Sequence, residues 1–595
     1  MVAIILSVLF GLPHILIPRL LGPDRPYTPF AVRDVSALTY DETTTYAPQL
    51  NYTWRRNSPA YDTDAFEEKD VPVPVPTLPY FALAAAASLL GGVAQTFIAG
   101  DFVLPPLAFL LLYLLIFDIT HRHWLSMLGA VTCVLVPFGP RNFFEVPLQV
   151  ALGRSATIIQ PLEMSRLLQP QVSFPLFTAA LLGLWRALRT RRAAAAVAAG
   201  ALGGTLFYTY VYYWPAWVAT IGLLLVAFVA IDRVSVRTLA IVNVVTWATS
   251  VPFWVIYFRA RQFPNMAELI ERHTSESGHL PSLEKLTYSA VYIGVLAVLS
   301  YVFVRVTRPQ RKHNILLFHW AVLGGGLAGL NMEVLTGVNV EALMHFSNRL
   351  FQPFFVIAAA TLGGPALLAS RLGTPRLLRA VCGVSLVGLL LIAGVRQVLV
   401  SRNVAPYHEY PEEQRLLFSW LEANTQTDDV VMTTDTVINY IVPLYTRDRV
   451  YVPDAERSGV AYRQIERRYL IAMKLMRHSE QDLRDELGRD AFHGDPPLGL
   501  TTSYYLFGDA GGTRRRGLVE ARLAEALRDY RALDLESELR RWRVDYAYAR
   551  AGEVPAQVRG WTIREVYETR FGSVWRVQPA AATAQDQDDD NPGEA

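Results

Sequence analysis

An adjacent pair of carboxylates, Asp41 and Glu42, follows the first apolar segment of the chain. A hydroxyl or an amine is a weak nucleophile at neutral pH, and a carboxylate within reach can remove its proton during attack. Tyr40 and Tyr46 flank the pair and could offer flat rings to a sugar. The alternative interpretation is a charged, solvated surface loop. Acidic groups beside a bilayer are costly unless they lie in water or do chemistry, so the position of the pair favours a reactive site.

A second polar stretch of the same loop contains Asp64, Glu67 and Lys69 and runs into a series of prolines at residues 72–76. A lysine among carboxylates can hold a phosphate, and repeated proline stiffens the chain by fixing φ. We predict that Asp64, Glu67 and Lys69 contact a phosphorylated substrate. The alternative is a rigid linker whose lysine extends to the membrane surface.

Four cationic residues further along the chain are candidate phosphate ligands. Arg141 and Arg166 fall in a later polar loop, where arginines can clamp a phosphate through bidentate contacts or anchor lipid headgroups. His345 and Arg349 are four residues apart, so on a helix they share one face. Together they predict a cationic site at membrane depth, with an interfacial histidine and a snorkelling arginine as the alternative.

An aromatic run, 207–214, lies at the end of an apolar segment. Tyrosine and tryptophan are enriched in the interfacial belts of membrane proteins, so the run predicts such a belt. Stacking on a sugar is the alternative role.

The composition indicates the environment in which these residues act. The chain has 595 residues, of which 52% are hydrophobic and 18% charged, whereas a soluble protein carries about 25% charged residues. A net charge of +2 gives no indication of nucleic-acid binding. Cys133 and Cys382 lie in apolar runs, so they predict small buried residues rather than a disulfide framework or a metal cluster.

Apolar runs long enough, or nearly long enough, to cross about 30 Å of hydrocarbon recur along the chain; a crossing helix takes about 20 residues. They are 2–20, 78–97, 102–119, 123–139, 172–187, 193–212, 214–231, 238–257, 286–305, 314–330, 350–370 and 377–398. The first run has no basic lead-in and no cleavage pattern, so we expect a retained helix. The fold class predicted is a polytopic α-helical membrane protein with about 11–13 spanning helices and a C-terminal extracytoplasmic α/β domain.

The positions of basic residues indicate the orientation of these runs in the membrane. Arginines and lysines cluster at alternate connections, around residues 122, 186–192, 233–237, 305–312 and 371–379. The positive-inside rule makes these connections cytoplasmic, so the loops 22–77, 140–171, 258–285 and 331–349 and everything after residue 400 face outward. Two runs between Lys69 and Arg122 break the alternation. Either 78–97 does not fully cross, or Arg122 does not mark the inner face.

Beyond residue 402 short strand-like runs alternate with helical ones, which suggests an α/β domain. Strands are predicted at 429–433, 449–453, 504–507, 544–549 and 574–577, and a charged helix at 515–542. We therefore divide the chain into a transmembrane module, 1–401, with its first outward loop at 22–77, and a soluble domain, 402–580. The acidic tail 581–595 lacks apolar residues and should be disordered.

This arrangement resembles the GT-C superfamily of integral-membrane glycosyltransferases, closest to the branch with the protein O-mannosyltransferases and aminoarabinose transferases. Those enzymes carry an acidic pair, often Asp-Glu, in the loop after the first helix, as Asp41-Glu42 stands here. They often carry Glu-Lys-Pro-Pro before the next helix, whereas Glu67 is followed here by a second Glu and the prolines are displaced. The segment with His345 and Arg349 is similar to a late outward loop of bacterial and archaeal relatives.

The resemblance implies a polyprenyl-phosphate-linked sugar as donor and a glycan, lipid or protein as acceptor at the cell membrane. Asp41, or Glu42 next, would deprotonate the acceptor, which attacks the anomeric carbon from the opposite face and inverts it. Arg166, His345 and Arg349 would stabilise the leaving phosphate. A pyrophosphate donor more often brings a divalent metal, which the acidic loop could bind, whereas a monophosphate needs none; no metal ligands are assigned.

Two other classes of protein fit many of the same features. A transporter or flippase of lipid-linked envelope precursors explains many helices, but it predicts charges in the middle of spans and internal inverted repeats. A non-catalytic envelope protein whose outward domain binds a partner predicts that Asp41 and Glu42 are dispensable. The grouping of acids in one outward loop favours the enzyme.

Overall fold

The computed structural model describes residues 1–33, 42–59, 62–71, 77–136, 143–145, 148–149, 152–153, 162–263, 265, 268, 274–306, 312–340, 343–369, 374–455, 457–488, 502–507 and 512–580. The predicted tail 581–595 lies outside them. The chain forms two compact units. The first consists of Met1–Ala60 and Val71–Tyr410, and the second of Tyr61–Asp70 and Pro411–Ala595.

The first unit is built almost entirely of helices. They are α1 Val2–Leu21, α2 Ala47–Arg56, α3 Leu78–Leu90, α4 Val93–Thr120, α5 His123–Leu135, α6 Ser173–Thr190, α7 Ala193–Thr205, α8 Tyr213–Val229, α9 Arg233–Ala260, α10 Leu283–Val306, α11 Lys312–Leu330, α12 Glu333–Thr336, α13 Leu343–Phe346, α14 Gln352–Ala358, α15 Gly364–Ala369 and α16 Pro375–Val404. A two-stranded antiparallel ribbon pairs β1 Thr274–Ser277 with β2 Val338–Val340.

Within the described residues, 8 helical stretches are long and apolar enough to cross a membrane. They are Val2–Leu21, Val93–Thr120, Leu167–Thr190, Arg233–Ala260, Leu283–Val306, His313–Leu330, Ser347–Leu368 and Arg376–His408. Backbone groups in lipid must be satisfied internally, which an α-helix achieves within one segment. The predicted polytopic helical membrane fold is confirmed, and the protein is an integral membrane protein.

The run 78–97 differs from its predicted form. The chain breaks at Gly91 and Gly92, whose φ values of 88° and 139° are in the left-handed region that favours glycine. The helix before the break, α3, has 13 residues and so spans only about 20 Å, short of the hydrocarbon thickness. The helix after it, α4, continues without interruption through Asp101 to Thr120.

Small residues allow the helices of the first unit to approach closely. A Cβ at Gly203 of α7 would lie 2.0 Å from the Trp217 indole nitrogen, and one at Gly200 would lie 2.7 Å from the Val242 carbonyl oxygen. The Trp217 indole in turn donates to Thr246 Oγ1 at 3.2 Å. Because lipid supplies no hydrophobic drive between helices, close packing and such hydrogen bonds hold the bundle together.

The second unit contains a five-stranded sheet in the order β4-β3-β5-β7-β6. Its strands are β3 Val430–Met432, β4 Arg449–Val450, β5 Tyr546–Arg550, β6 Trp561–Thr569 and β7 Gly572–Pro579. β3 pairs in parallel with β4 and β5, and β7 pairs antiparallel with β5 and β6. The expected C-terminal sheet region is confirmed.

Helices complete the second unit. They are α17 Glu412–Asn424, α18 Thr436–Tyr445, α19 Tyr462–Leu475, α20 Glu480–Gly488, α21 Thr502–Phe507, α22 Gly512–Ala532 and α23 Leu535–Leu539. The prediction of a strand at 504–507 is therefore wrong, because this run is helical. Its apolar residues pack on neighbouring helices rather than extending the sheet: Tyr505 is fully buried and packs edge-to-face against Tyr440 of α18. The long β6 has an irregular burial pattern and was not predicted.

A short piece of the N-terminal loop, Tyr61–Asp70, belongs to the second unit. The Asp62 carboxylate accepts from the backbone N–H groups of Asp64 and Ala65, each at 2.8 Å. It also accepts from Ser458 Oγ at 2.5 Å and from the Gly459 N–H at 3.1 Å. A buried carboxylate with this many donors fixes the piece firmly in place.

Candidate active site

Glu42 and Arg166 form an ion pair in the first unit, with 2.9 Å between Arg166 Nε and Glu42 Oε1. Glu42 begins the helical turn Glu42–Tyr46, which leads into α2, and Arg166 precedes the turn Leu167–Val172, which leads into α6. The Glu42 side chain is 8% exposed and the Arg166 side chain 22% exposed. The pairing thus joins two predicted site residues that are far apart in sequence.

A second contact holds the same two turns together. The Tyr46 hydroxyl donates to Gln169 Oε1 at 3.1 Å. Thr43 and Thr44, between Glu42 and Tyr46, are buried. The turn Glu42–Tyr46 is therefore held at both ends, by Arg166 and by Gln169.

A cationic cluster forms around Tyr210. Arg349 Nη1 donates to the Tyr210 hydroxyl oxygen at 2.5 Å, and that hydroxyl lies 2.8 Å from His345 Nδ1. With Arg349 as donor, the Tyr210 O–H is left to donate to the histidine. The ring of Tyr212 stacks on His345, with centroids 5.0 Å apart. His345 and Arg349, which the sequence predicts to share one face of a helix, both contact this hydroxyl.

Arg166 connects the acidic and the cationic groups. Burial raises the pKa of Tyr210, and the positive charges of Arg349 and Arg166 oppose that rise. Arg166 therefore acts electrostatically on Tyr210 while it pairs with Glu42. The first unit brings Glu42, Arg166, His345 and Arg349 into one region, with Tyr210 among them; we call these five residues the Glu42–Arg349 cluster.

The cluster has the groups that a transfer reaction with a phosphate leaving group needs. A carboxylate can accept a proton, and two guanidinium groups and an imidazole can neutralise charge that develops on a phosphate. Tyr210 is the member that the sequence did not single out. In the sequence it is one aromatic residue of an interfacial run, and no local pattern distinguishes it from its neighbours.

The other predicted ligands of the first loop lie in the second unit. Glu67 Oε2 pairs with Arg468 Nη2 at 2.8 Å, and Lys69 Nζ lies 4.0 Å from the centre of the Phe66 ring. Asp64 is buried and accepts from the Asp454 N–H at 3.3 Å. Burial and the charge of Asp62 raise the pKa of Asp64 to about 6. These contacts are made within the second unit.

Asp41 and Arg141 lie outside the described residues. Among the residues that are described, there is no group of three or more His, Cys, Asp or Glu side chains that could hold a metal ion. Cys133 and Cys382 are buried and free, as expected for small apolar residues.

A buried polar network, which the sequence did not indicate, lies inside α1 and α4. His14 Nε2 lies 2.8 Å from Asp101 Oδ2, and His14 Nδ1 lies 2.5 Å from the Tyr27 hydroxyl. The other Asp101 oxygen accepts from Gln171 Nε2, in the same turn that carries Gln169. Each of these contacts belongs to the first unit.

No family model matches the chain, and no curated protein matches it. Solved structures do match the chain. ArnT from Cupriavidus metallidurans, bound to undecaprenyl phosphate, is similar over 74% of this chain and 84% of its own, at 12% identity and a TM-score of 0.42. The Archaeoglobus fulgidus oligosaccharyltransferase, tethered to an acceptor peptide, is similar over 92% of this chain and 68% of its own, at 11% identity and a TM-score of 0.41.

Proposed function

We propose that this integral membrane protein is a glycosyltransferase that moves a sugar from a polyprenyl-phosphate-linked donor to an extracytoplasmic glycan, lipid or protein. The observation that carries the proposal is the pairing of Arg166 with Glu42, together with the contact of both Arg349 and His345 with the Tyr210 hydroxyl. We propose that this acid near the start of the chain and these cations hundreds of residues later serve one site.

In this reaction Asp41 is the proposed base and Glu42 the second candidate. The carboxylate takes the proton of the acceptor hydroxyl or amine as the acceptor atom forms its bond to the anomeric carbon. The bond between that carbon and the donor phosphate oxygen breaks, and polyprenyl phosphate leaves with the electron pair. Attack opposite the leaving group inverts the configuration. Pairing with Arg166 orients the Glu42 side of this acidic pair.

The leaving phosphate is proposed to bind at Arg349, His345 and Arg166. Arg349 is buried, so its charge acts through a medium of lower effective dielectric than water. A phosphate oxygen can replace the Tyr210 hydroxyl as the acceptor of the Arg349 hydrogen bond. Roles in donor binding for Asp64, Glu67, Lys69 and Arg141 stay predictions from the sequence.

The test is transfer by the purified, full-length protein. A panel of polyprenyl-phosphate sugars is offered together with candidate acceptors, and release of free polyprenyl phosphate is measured. Wild type is expected to consume at least one donor, and Asp41→Asn, Glu42→Gln and Arg349→Gln are each expected to slow release at least 100-fold. Asp24→Asn is the matched control, because Asp24 is an exposed carboxylate of the same loop. Undiminished release by the Asp41→Asn, Glu42→Gln double variant would overturn the proposal.

A flippase of lipid-linked precursors is the second candidate function. The observation that favours it is the His14–Asp101 pair inside two candidate spans, because ionisable pairs within membranes often form proton pathways. Vesicles with a fluorescent polyprenyl phosphate in one leaflet separate the two functions. A flippase moves the lipid across without cleaving a sugar from it, whereas the proposed transferase releases polyprenyl phosphate on one side.

A further inference from the structure

The His14–Asp101 pair lies deep in the first unit and is not part of the Glu42–Arg349 cluster. Asp101 is about 12 Å along α4 from its first residue, and His14 is about 11 Å from the last residue of α1. Both side chains are 11% exposed. An acidic side chain within a membrane helix is energetically costly and often marks a functional role.

The network reaches the cluster through one short segment, Arg166–Gln171. Gln171, which is fully buried, donates to Asp101. Gln169 accepts from Tyr46, and Arg166 pairs with Glu42. Three side chains of this segment therefore contact two different elements: Arg166 and Gln169 contact the turn Glu42–Tyr46, and Gln171 contacts α4.

Gly100 lets the segment approach α4 closely. A Cβ at Gly100 would lie 2.3 Å from Leu167 Cδ1 and 3.2 Å from Gln171 Oε1. Real side-chain atoms do not approach each other to 2.3 Å, so a larger residue at position 100 would force the Leu167 side chain to shift and would crowd Gln171. The adjacent residues Gly100 and Asp101 thus fulfil two complementary tasks, since one makes room for the segment and the other binds it.

We propose that Asp101 and His14 are positioning residues of the active site: they hold the segment Arg166–Gln171 against α4, so that Arg166 and Gln169 fix Glu42 and Tyr46 for the reaction. The inference rests on the proposed function and deepens it. Asp101 touches neither Glu42 nor Arg166 in this role and acts through Gln171. Tyr27 completes the network by fixing the His14 ring through Nδ1.

The two acceptor oxygens of Asp101 predict how substitutions behave. Leucine at position 101 has a similar width but accepts no hydrogen bond, so Gln171 and His14 both lose their contact with this side chain. Asparagine can keep both contacts: its oxygen accepts from Gln171, and its N–H₂ donates to His14 Nε2, if His14 takes the tautomer with the proton on Nδ1. That tautomer can still donate to the Tyr27 oxygen.

The experiment compares full-length Asp101→Leu, Asp101→Asn, Gln171→Leu and Gly100→Ala in detergent. Asp118→Asn is the control, because it removes an ion-paired carboxylate from the other end of the same helix, where Asp118 pairs with Arg186 at 2.6 Å. Hydrogen–deuterium exchange is followed in peptides that cover 42–56 and 166–172. Where transfer is measurable, kcat and the donor KM are determined for each variant.

Asp101→Leu, Gln171→Leu and Gly100→Ala are each expected to raise exchange in both peptides and to lower kcat at least 10-fold, with the donor KM changed less than threefold. A displacement of about 1 Å is enough for such a loss. Asp101→Asn is expected to keep kcat within threefold of wild type, and Asp118→Asn to match wild type throughout.

The inference is overturned if the leucine variants leave exchange in 42–56 and 166–172 unchanged, or if kcat falls without that increase. It is also overturned if Asp101→Leu raises exchange uniformly across the first unit, since the pair would then support the fold at large. A wild type that transfers no sugar refutes the proposed function alone, because the exchange measurements still decide whether Asp101 holds the segment.

Discussion

At the scale of single residues, the cluster draws its properties from pairing rather than from residue type. Glu42 is one of many acidic side chains in the chain, and it is distinguished by a partner, Arg166, whose charge also reaches Tyr210. Arg349 is buried and donates to Tyr210, and its guanidinium carbon lies 5.3 Å from the centre of that ring. The uncharged Tyr210 hydroxyl therefore contacts both Arg349 and His345.

Removing the Tyr210 hydroxyl tests this organisation. Tyr210→Phe keeps the ring beneath Arg349 but leaves a buried guanidinium and His345 without their shared partner. We expect a stability loss of about 1–3 kcal/mol and a donor KM at least fivefold higher. Thermal unfolding in detergent and transfer kinetics measure the two effects. Tyr212→Phe, which keeps the ring that stacks on His345, is the control; an equal effect of both variants would contradict the assigned role.

A pH dependence is expected in the second unit from Asp448. Burial, reinforced by the charges of Asp429 and Glu422, raises the pKa of Asp448 to about 7, although Thr425 and Thr446 donate to the carboxylate. The folded-state pKa lies above the unfolded value, so the neutral Asp448 carboxyl makes its full contribution to the stability of the second unit below about pH 4. That contribution is lost as the pH rises towards 7, by at most about 1.4 kcal/mol per pH unit.

Asp448→Asn cannot ionise and should remove this loss. We expect the variant to be more stable than wild type at pH 8 and to differ little at pH 5, as measured by unfolding of the second unit with hydrogen exchange in β3 and β5. Asp485→Asn, at an exposed position of α20, should leave the pH dependence intact. A variant with the wild-type slope would contradict the assignment.

At the scale of elements, short segments rather than long helices position the functional groups. The turn Glu42–Tyr46 and the segment Arg166–Gln171 carry Glu42 and Arg166 of the cluster, and α4 contacts the segment through Gly100 and Asp101. The piece Tyr61–Asp70 follows the same principle in the second unit. Its backbone is held by one charged side chain and one backbone group: Arg449 Nη1 donates to the Asp62 carbonyl oxygen at 2.6 Å, and the Val450 N–H donates to the Asp64 carbonyl oxygen at 2.9 Å.

Asp62 should be the residue on which this piece depends. Asp62→Ala removes a buried acceptor of four hydrogen bonds and is expected to lower the stability of the second unit by more than about 3 kcal/mol. Limited proteolysis should then cut within 62–70 at least 10 times faster. The control is Asp70→Ala, at an exposed position of the same piece. Cleavage at the wild-type rate in Asp62→Ala would show that other contacts hold the piece.

At the scale of the whole molecule, the positions of basic residues predict which parts face the cytoplasm. Arg186, Arg189 and Arg191 lie at the end of α6 and beyond it, and they pair with Asp118 and Asp232 near the ends of other spans. The positive-inside rule predicts that this end is cytoplasmic. The second unit is then extracytoplasmic, which stays a prediction.

Cysteine labelling of intact cells tests that orientation. Gln481→Cys and Arg192→Cys each place a thiol at an exposed position, one in the second unit and one at the end of α6. An impermeant maleimide should label the first in intact cells and the second only after permeabilisation. The native cysteines are buried, so wild type should stay unlabelled. Labelling of Arg192→Cys alone in intact cells would reverse the orientation.

Prediction from the sequence was strongest where a property is local. A span depends on the hydropathy of consecutive residues, so the apolar runs identified the helical membrane fold, and short apolar strands identified the C-terminal sheet. The i, i+4 spacing of His345 and Arg349 placed them on one face for the same reason. Prediction from the sequence was weakest at the boundaries of the apolar runs. The hydropathy of 78–97 does not show that the helix ends at Gly91-Gly92, nor that Asp101 lies inside the next helix.

The sequence by itself determined that the chain enters a membrane as many helices and which residue types could perform transfer chemistry, because both depend on composition and short-range spacing. Only the tertiary structure decided which of those residues meet. Glu42 and Arg166, or Asp101 and Gln171, are brought together by the packing of helices that are distant in sequence. Asp64 and Glu67 are bound within the second unit by partners about 400 residues later, and Lys69 contacts the nearby Phe66 ring. Such pairings follow from the packing of the whole fold, which no short stretch of sequence encodes.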